Sequence, residues 1–459
     1  MQVDLDLLRS YNRSLPRYTS YPTAPHFDGG VDREQFLDEV RRRDAAEDAA
    51  PLSLYVHLPF CRQLCYYCGC HAFVTHSEDR IQRYLDHVER EIDLLADELS
   101  AERPLIQIHW GGGTPTYLTP AQIRELGAKI RDRFAVADDA EISLEADPRG
   151  LTREHVAAAS DVGFNRMSVG AQTFDATVQE AIHRVQPEQL TRDAVRWARD
   201  EGFEGVNLDL IYGLPHQSLD GFEETLASVQ DIDPDRIALY SYAHVPSVLE
   251  HQKLIPEDAL PDPAERLTLF KTGIETLTQE AGYRFIGMDH FARPDDPLSI
   301  AQDEHTLQRN FQGYSTRAGA DVYAVGVSGI HQLAPLYAQN VKDLRTYYER
   351  IEAGRLSVER GVRLTPDDHL RRRVIMDLMC NFSLAKSRIE AAFDIDFDRY
   401  FAPDLARLEP LEADGLVDAR GATLDVRPPG RLLIRNVASK FDAYLHETTE
   451  ARPVYSESL

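Results

Sequence analysis

The chain has 459 residues, of which 43% are hydrophobic, 27% charged and 9% aromatic, and its formal net charge is −26. This composition is typical of a soluble globular protein of two or three domains and excludes disordered, collagen-like and disulfide-scaffold classes. The acidic field repels phosphate backbones, so we expect no nucleic-acid partner. No apolar run reaches the roughly 18 residues of a membrane span. Residues 1–16 lack the apolar segment of a signal peptide, and we expect a cytoplasmic protein.

The first 50 residues predict a polar N-terminal arm, with an ordered non-helical stretch at 17–22 and a helix near 33–43. From residue 51, short apolar runs typical of buried strands alternate with helical patterns. The strand runs lie at 52–58, 105–110, 141–146, 166–169, 206–211 and 236–243. Helical patterns lie at 78–99, from 119 onward, and at 152–161, 190–201, 219–231 and 264–281. The alternation predicts an α/β fold that is closer to an incomplete TIM-type (β/α)6 barrel with additional strands than to a doubly wound sheet.

The chain after residue 340 is predicted to be mainly helical. Two short strands, Leu416–Ala419 and Thr423–Val426, precede a last helix over Gly430–Leu445, an order that resembles a winged helix. Residues 361–459 carry 14 Lys and Arg against 17 Asp and Glu, which disfavours DNA binding. We therefore predict an arm at 1–50 that covers a substrate, a barrel at 51–335 and a helical domain at 336–459.

Polar or glycine-rich groups follow each predicted strand. Examples are Gly111–Gly113 after the second strand, Glu145 at the end of the third and Asp209 at the end of the fifth. Because the carboxyl ends of parallel strands meet at one rim, we expect these groups to converge there. Taken alone, either carboxylate could equally be a helix cap or a salt-bridge partner.

Four of the five cysteines fall within ten residues, at Cys61, Cys65, Cys68 and Cys70. Such clustering favours metal or cluster chemistry over disulfides. The spacing Cys-x3-Cys-x2-Cys directly after a strand gives three thiolates, which would leave one iron of a four-iron cluster open. Zinc requires four ligands, and Cys70 could supply the fourth, so zinc and a closed cluster remain as alternatives. Cys380, in an apolar helical run, is predicted to be a buried hydrophobic residue.

The three-cysteine motif after a first strand resembles that of the radical S-adenosylmethionine (SAM) superfamily. Further motifs narrow the resemblance to the oxygen-independent coproporphyrinogen III oxidase family, from Tyr18 to about Leu445. These motifs are Tyr66–Cys70, Gly111–Pro115, Tyr212–Pro215, Gly287–Pro294 and Arg309–Tyr314.

The resemblance implies one [4Fe-4S] cluster on Cys61, Cys65 and Cys68, and two SAM molecules. The implied reaction converts two propionates of coproporphyrinogen III to vinyl groups without O2. The implied partners are a low-potential electron donor such as flavodoxin or ferredoxin and an unidentified acceptor, and we expect a monomer. A haem chaperone of the same superfamily is the alternative, which Cys70 and the long C-terminal part argue against. An iron-sulfur regulator that binds DNA is disfavoured by the charge.

The resemblance also assigns cofactor-binding residues. Gly112, Gly113 and Thr114 would contact SAM, while Glu145 and Asp209 would accept hydrogen bonds from ribose hydroxyls or an ammonium group. The remaining assignments are Tyr55 and Ile330 to the first SAM, and Tyr67, Gln172, Arg184 and Ala243 to the second. Cys70 would not ligate the cluster but would assist hydrogen or electron transfer.

The implied substrate carries four carboxylates, so basic residues are expected around it despite the net charge. Candidates in loops flanked by aromatic residues are Arg17, Arg293, Arg309 and Arg317. His57 and His290 lie beside predicted rim positions, where a lone histidine is more often structural than catalytic.

Overall fold

A computed structural model describes residues 1–447 of the chain. The N-terminal arm contains α1 (Leu5–Tyr11) and α2 (Arg33–Asp44). Helix α1 is absent from the sequence predictions, and it begins where Asp4 accepts hydrogen bonds from the Asp6 and Leu7 amides. The stretch 17–22 is non-helical as predicted. Its Tyr18 and Tyr21 are fully buried, so the arm is packed into the protein core.

The barrel region alternates strands and helices at nearly the predicted positions. Its first strands are β1 (Leu52–Leu58), β2 (Phe60–Cys61), β3 (Phe73–Val74), β4 (Pro104–Gly112), β5 (Ala135–Ala146), β6 (Arg166–Gln172), β7 (Gly205–Tyr212) and β8 (Arg236–Ser241). The helices are α3 (Glu78–Ala96), α4 (Pro120–Arg133), α5 (Arg153–Asp161), α6 (Ala176–Ala181), α7 (Glu188–Asp200), α8 (Leu219–Ile232) and α9 (Pro263–Glu275). Helix α4 begins with the expected capping box between Thr119 and Gln122.

The second half of the sheet follows α9. It contains β9 (Arg284–Gly287), β10 (His290–Ala292), α10 (Pro297–Asp303), β11 (Gln308–Asn310), β12 (Gly313–Ser315), β13 (Asp321–Val325), β14 (Ile330–Leu333), β15 (Leu336–Asn340), α11 (Leu344–Glu352) and β16 (Val358–Arg363). The main sheet has twelve strands in the order β16-β15-β14-β13-β1-β4-β5-β6-β7-β8-β10-β9. The seven strands from β13 to β8 are parallel, and the outer ones are antiparallel. Six βα strands with additional strands on both sides are the predicted incomplete barrel.

The C-terminal part is mainly helical. It contains α12 (Pro366–Asn381), β17 (Ser383–Ala385), α13 (Lys386–Phe393), α14 (Phe397–Tyr400), α15 (Ala402–Ala413), β18 (Val417–Asp418), β19 (Thr423–Val426), α16 (Pro428–Leu432), α17 (Ile434–Ala438) and α18 (Ala443–Glu447). Strands β17, β19 and β18 form a small antiparallel sheet beside α12, α13 and α15, which matches the winged-helix character expected.

The prediction of one last helix over Gly430–Leu445 is wrong. The chain instead forms three short helices, interrupted at Leu433 and again near Asp442. Asp442 is extended, with ψ 101°, and its carboxylate accepts a hydrogen bond from the Tyr18 hydroxyl at 2.9 Å. The second break therefore coincides with a hydrogen bond to Tyr18, more than 400 residues earlier in the chain.

Strands β15 and β16 continue the main sheet beyond residue 335. We therefore move the proposed border of the C-terminal domain from 335 to near residue 364. Within residues 1–447, no helix has the length and apolar character needed to cross a bilayer.

Candidate active site

The cysteine loop, residues 61–70, follows the carboxyl end of β1 and is anchored by several contacts. The Tyr66 amide donates to the Ile182 carbonyl at 3.0 Å, and the Tyr66 ring stacks on His183 at 4.8 Å. On the opposite side, His251 contacts the Cys68 carbonyl at 2.7 Å. The side-chain amide of Gln252 donates to the carbonyls of both Tyr67 and Ala243 at 3.1 Å. These contacts tie the cysteine loop to the segments around residues 182 and 252.

The three motif thiols point into distinct surroundings. Cys61 Sγ lies 3.5 Å from the Thr114 hydroxyl, and Cys68 Sγ accepts the Cys70 amide at 3.4 Å. Among the described residues, no three His, Cys, Asp or Glu side chains converge closely enough to hold a single metal ion. Burial, with the nearby charges of Cys68 and Cys65, raises the pKa of Cys61 to about 11, so the three thiols lie near one another on one loop, and cysteine thiolates are the usual ligands of iron-sulfur clusters.

The Cys65 sulfur is flanked by two guanidinium groups. Arg149 lies 3.4 Å and Arg184 3.5 Å from Cys65 Sγ, and the Asp147 carboxylate accepts from both arginines at 2.6 and 3.1 Å. Arg184 also donates to the Gly170 carbonyl at 2.8 Å. Hydrogen bonds to cluster sulfurs are one of the features that set a reduction potential. Sequence reasoning places Asp147 among the polar groups that follow the third strand without giving it a role, and it missed Arg149.

The glycine loop after β4 leaves room for close approach. Gly112 has φ 117°, and a Cβ atom there would lie 2.6 Å from the His57 ring. At Gly113, a Cβ atom would lie 2.7 Å from the Pro59 backbone, and its amide donates to the Leu58 carbonyl at 2.8 Å. Both positions therefore require glycine, and both bring the loop against the base of the cysteine loop.

Glu145 lies in the barrel mouth close to the first group of predicted residues. Its Oε2 accepts the Gly112 amide at 3.1 Å, and its Oε1 lies 3.6 Å from His109 Nε2. The His109 ring stacks on Tyr55 at 5.8 Å, and the Tyr55 hydroxyl lies 3.1 Å from His57 Nδ1. The structure therefore brings Tyr55, Gly112 and Glu145 together.

Asp209 is the second carboxylate of this mouth. It accepts hydrogen bonds from the Ser168 hydroxyl and the Asn207 amide, both at 2.9 Å. Desolvation and the nearby negative charge of Glu145 raise the pKa of Asp209 to about 7. Desolvation also opposes ionisation of Glu145, but the hydrogen bond and charge of His109 outweigh it and lower the Glu145 pKa. The two carboxyl groups therefore differ in pKa. Glu145 is ionised near neutral pH, whereas Asp209 can hold a proton there.

Two further predicted residues, Gln172 and Ile330, lie in different parts of the structure. Gln172, with φ 63°, turns the chain at the end of β6 beside Gly170 and Arg184. Ile330 lies where β13 turns into β14, and its side chain packs against the apolar cluster that contains Tyr337. Two further residues joined to the cysteine loop, His251 and Gln252, were missed because nothing local to their sequence signals a long-range contact.

Two of the four candidate substrate arginines lie at the amino end of the parallel strands. Arg293 follows β10 at the amino end of β8, where it pairs with Asp233. Arg317 precedes the amino end of β13 and pairs with Asp139 at 2.8 Å. Both arginines therefore lie away from the carboxyl end of β1, where the cysteine loop begins; Arg293 is there because β10 runs antiparallel to β8.

The other two candidates are Arg17 and Arg309. Arg17 lies near the carboxyl ends of β7 and β8. Arg17 pairs with Asp289. Arg309 is buried, and its guanidinium stacks on the Tyr314 ring at 4.6 Å. His290 is half-buried, and desolvation with the charge of Arg309 lowers its pKa to about 3, so it is neutral. Cys380 is buried in the α12 core as predicted.

The raised pKa of Asp209 gives a testable pH dependence. An aspartate that holds its proton up to about pH 7 in the folded state but only to about 3.9 when unfolded makes stability fall as pH rises between those values. We expect the melting temperature of Asp209→Asn, measured relative to wild type, to be higher at pH 7 than at pH 5. The reason is that the wild type loses stability over this range whereas the variant has no carboxyl group to ionise at this position. Thermal unfolding at both pH values measures the difference, and an equal difference at pH 5 and pH 7 would contradict the assignment.

Comparison with known proteins defines the class first. Residues 55–229 match the family model described as the Radical SAM superfamily, which spans the cysteine loop and most of the parallel strands. Residues 364–433 match the model described as the HemN C-terminal domain.

Closer relatives then identify the family. The chain is 46% identical over 444 residues to the oxygen-independent coproporphyrinogen III oxidase of Escherichia coli, covering 97% of this chain and 96% of that protein. It is 43% identical to the protein of that name from Synechocystis, covering 98% and 97%. The solved structure of coproporphyrinogen III oxidase (HemN) from Escherichia coli, a radical SAM enzyme, superposes with TM-score 0.91 at 44% identity, covering 97% of this chain and 99% of that one. This chain belongs to the oxygen-independent coproporphyrinogen III oxidase family.

Proposed function

We propose that this protein catalyses oxygen-independent oxidative decarboxylation of coproporphyrinogen III to protoporphyrinogen IX in haem biosynthesis. The observation that carries the proposal is the match over nearly the whole chain to curated enzymes of that name. The anchored loop of Cys61, Cys65 and Cys68 at the end of the first strand supports it, because the reaction requires a cofactor held in a fixed position relative to the substrate.

Cys61, Cys65 and Cys68 are the proposed ligands of one [4Fe-4S] cluster with one open iron. When bound, the cluster supplies the electron that cleaves SAM to methionine and a 5'-deoxyadenosyl radical. The residues of this chain position and shield that chemistry. Arg149 and Arg184 donate to the Cys65 sulfur, and Gln252 joins the cysteine loop to the end of β8.

Two SAM molecules are the second part of the proposal. For the first we assign the group around Tyr55, Gly112 and Glu145, with Gly113, Thr114 and Ile330. For the second we assign the group around Cys65, namely Tyr67, Gln172, Arg184 and Ala243, with Asp209 between the two groups. The ionised Glu145 suits ribose hydroxyls or an ammonium group as a hydrogen-bond acceptor. The buried Arg184 suits a carboxylate.

Each of the two propionates is proposed to react through the same sequence of steps. A hydrogen atom leaves the propionate β-carbon for the 5'-deoxyadenosyl radical, giving 5'-deoxyadenosine and a substrate radical. The substrate radical loses CO2 and one electron, and the propionate side chain becomes a vinyl group. Two propionates require two such events, which fits two SAM molecules. The electron released each time passes to an acceptor, and a low-potential carrier such as flavodoxin or ferredoxin supplies the electron for SAM cleavage.

Cys70 is proposed to assist hydrogen or electron transfer. Its amide donates to Cys68 Sγ at 3.4 Å, and its thiol neighbours the same sulfur, which raises the Cys70 pKa well above the usual value. We further propose that the protein acts as a monomer in the cytoplasm.

Anaerobic turnover tests the function directly. Purified protein with coproporphyrinogen III, SAM and dithionite is expected to release two CO2 and form the divinyl product, with two 5'-deoxyadenosines per product. Omission of SAM is the matched control and should give neither. Tight haem binding without a vinyl product would refute the proposal and favour the haem chaperone.

A further inference from the structure

Glu91, on α3, is a buried acid that the proposed function does not use. The residue is 1% exposed and lies on the side of α3 that packs into the protein core. Among the described residues it forms no ion pair, so hydrogen bonds alone compensate for its burial. Burial raises the pKa of Glu91 to about 7, against the opposing effect of its hydrogen-bond donors. An acid buried at this cost is a candidate for fixing the position of the groups that it binds.

Four donors converge on the two oxygens of the Glu91 carboxylate. Oε2 accepts the Gly326 amide at 2.6 Å and the Tyr347 hydroxyl at 2.9 Å. Oε1 accepts the Ser357 hydroxyl at 2.9 Å and the Asn340 side-chain amide at 3.2 Å. These donors lie 235 to 266 residues later in the chain. The carboxylate therefore joins α3 to the end of β13, to β15, to α11 and to the segment before β16.

The loop that Glu91 holds runs from the end of β13 to the first residue of β14, and we call it the 326–330 loop. Strand β13 lies parallel to β1 in the sheet, so the loop begins beside the carboxyl end of β1, which carries Tyr55. The Ser328 hydroxyl lies 3.5 Å from His57 Nε2, and Tyr55 contacts the other ring nitrogen of His57. Ile330, assigned above to the first SAM, is the last residue of the loop. The loop therefore borders the first proposed SAM site.

The same helix holds the loop at a second point. The hydroxyl of Tyr84, about two turns before Glu91 on α3, accepts the Val327 amide at 3.1 Å and donates to the His57 carbonyl at 2.7 Å. Gly326 has φ 95°, and a Cβ atom there would lie 2.5 Å from the Tyr84 hydroxyl. Two successive loop amides and the end of β1 are thus held by side chains of α3, which fixes the loop relative to β1.

A neutral amide cannot replace this carboxylate. A carboxylate only accepts hydrogen bonds, whereas Glu91→Gln turns one oxygen into an NH2 donor. The hydroxyls of Tyr347 and Ser357 can rotate to accept from it, but the Gly326 amide and the Asn340 NH2 group cannot. Asn340 in turn donates to the Gly326 carbonyl at 2.9 Å. Either orientation of the new side chain therefore leaves a donor unpaired at Gly326 or at the side chain that holds it.

We propose that Glu91 is a positioning residue of the first SAM site and sets the place of the 326–330 loop through the Gly326 amide. The inference rests on the proposed function, which supplies SAM and assigns Ile330 to it. Glu91 acts through the loop rather than through contact with the ligand. Its hydrogen bonds order the loop before SAM arrives, so that binding does not have to supply that ordering. Loss of the carboxylate should therefore weaken SAM binding and leave the chemical step unchanged once SAM is bound.

Hydrogen exchange and SAM binding test the proposal with Glu91→Gln at pH 8, where Glu91 is ionised in the wild type. In SAM-free protein, we expect the amides of the 326–330 loop to exchange at least about tenfold faster than in wild type, measured by mass spectrometry of the peptides. Equilibrium dialysis of anaerobic holoenzyme with labelled SAM should give a Kd at least about tenfold higher for one of the two proposed SAM molecules. The KM for SAM should rise as well, with kcat at saturating SAM within about twofold of wild type.

Asp321→Asn is the matched control. Asp321 is as deeply buried, at 2% exposed, and lies at the amino end of β13, the strand whose other end begins the loop. It pairs with Arg43 and Arg103. Its replacement should lower the melting temperature but leave the SAM Kd and the exchange of the 326–330 loop at wild-type values.

Tyr84→Phe is a second test variant, because it keeps the buried ring and removes only the hydroxyl between Val327 and His57. We expect it to raise the SAM Kd, and it decides the question if Glu91→Gln does not fold. Wild-type SAM affinity in the folded Glu91→Gln protein, or in Tyr84→Phe where that is the one folded variant, would overturn the proposal, as would an equal loss in Asp321→Asn. A wild-type holoenzyme that binds no SAM would instead remove the proposed function itself, and the inference with it.

Discussion

The Cys61→Ala protein is expected to retain its fold but to lose most of its cluster iron and all measurable formation of vinyl product. Cys61 is half-buried, and its sulfur lies 3.5 Å from the Thr114 hydroxyl, which can form another hydrogen bond when the sulfur is removed. The cysteine loop stays anchored through Tyr66 and Gln252. The effect on activity is complete because the cofactor, rather than the protein, carries the difficult chemistry.

Iron and sulfide analysis of anaerobically purified protein measures the loss. Cys380→Ala is the matched control, because Cys380 is buried in a separate apolar cluster around α12 and should leave the iron content unchanged. Full iron and sulfide in Cys61→Ala, or zinc in the wild-type protein, would contradict the three-cysteine assignment. Cys70→Ala is expected to keep the cluster, and loss of iron there would make Cys70 a ligand instead.

Gly112→Ala is expected to abolish SAM binding and to lower stability by about 1–3 kcal/mol, the usual cost of a non-glycine residue in a strained conformation. The backbone at Gly112 has φ 117°, and the added Cβ atom would meet the His57 ring at 2.6 Å. Displacement of His57 would in turn disturb its contact with Tyr55. The substitution therefore acts on the first proposed SAM site as well as on the backbone.

Equilibrium dialysis with labelled SAM measures the binding, and thermal unfolding measures the stability. Gly29→Ala is the matched control, because nothing lies within 4 Å of the added atom and the φ of Gly29 lies outside the left-handed range. Wild-type SAM affinity in Gly112→Ala would exclude this loop from the site.

The sequence alone predicts the strands of the barrel and the cysteine loop well. Runs such as 52–58 and 236–243 are apolar because parallel strands are buried on both faces, a property that local composition records. The same local reasoning places Glu145 and Asp209 at strand ends; Glu145 does lie at the end of β5, whereas Asp209 lies inside β7, and both line one cavity inside the barrel.

What sequence could not predict depends on contacts between distant segments. Arg293 and Arg317 are candidates for substrate binding by their aromatic neighbours in sequence, but the structure pairs them with Asp233 and Asp139 at the amino end of the strands. Gln252 looks like an ordinary residue of a polar loop until its amide joins Tyr67 to Ala243. Arg435, in a stretch predicted as one continuous helix, contacts the arm more than 400 residues earlier. In each case the deciding partner lies far away in the chain.

The position of β1 in the sheet has a consequence for how the protein is made. One neighbour of β1 is β13, and their register pairs Leu52 with Asp321. At a ribosomal rate of 5–20 residues per second, the later strand is synthesised roughly 15–50 seconds after the first. Throughout that interval the backbone of β1 presents an open edge, to which another strand could bind. Nascent chains should therefore depend on chaperones until the segment around residue 325 has left the ribosome, and truncations before it should aggregate.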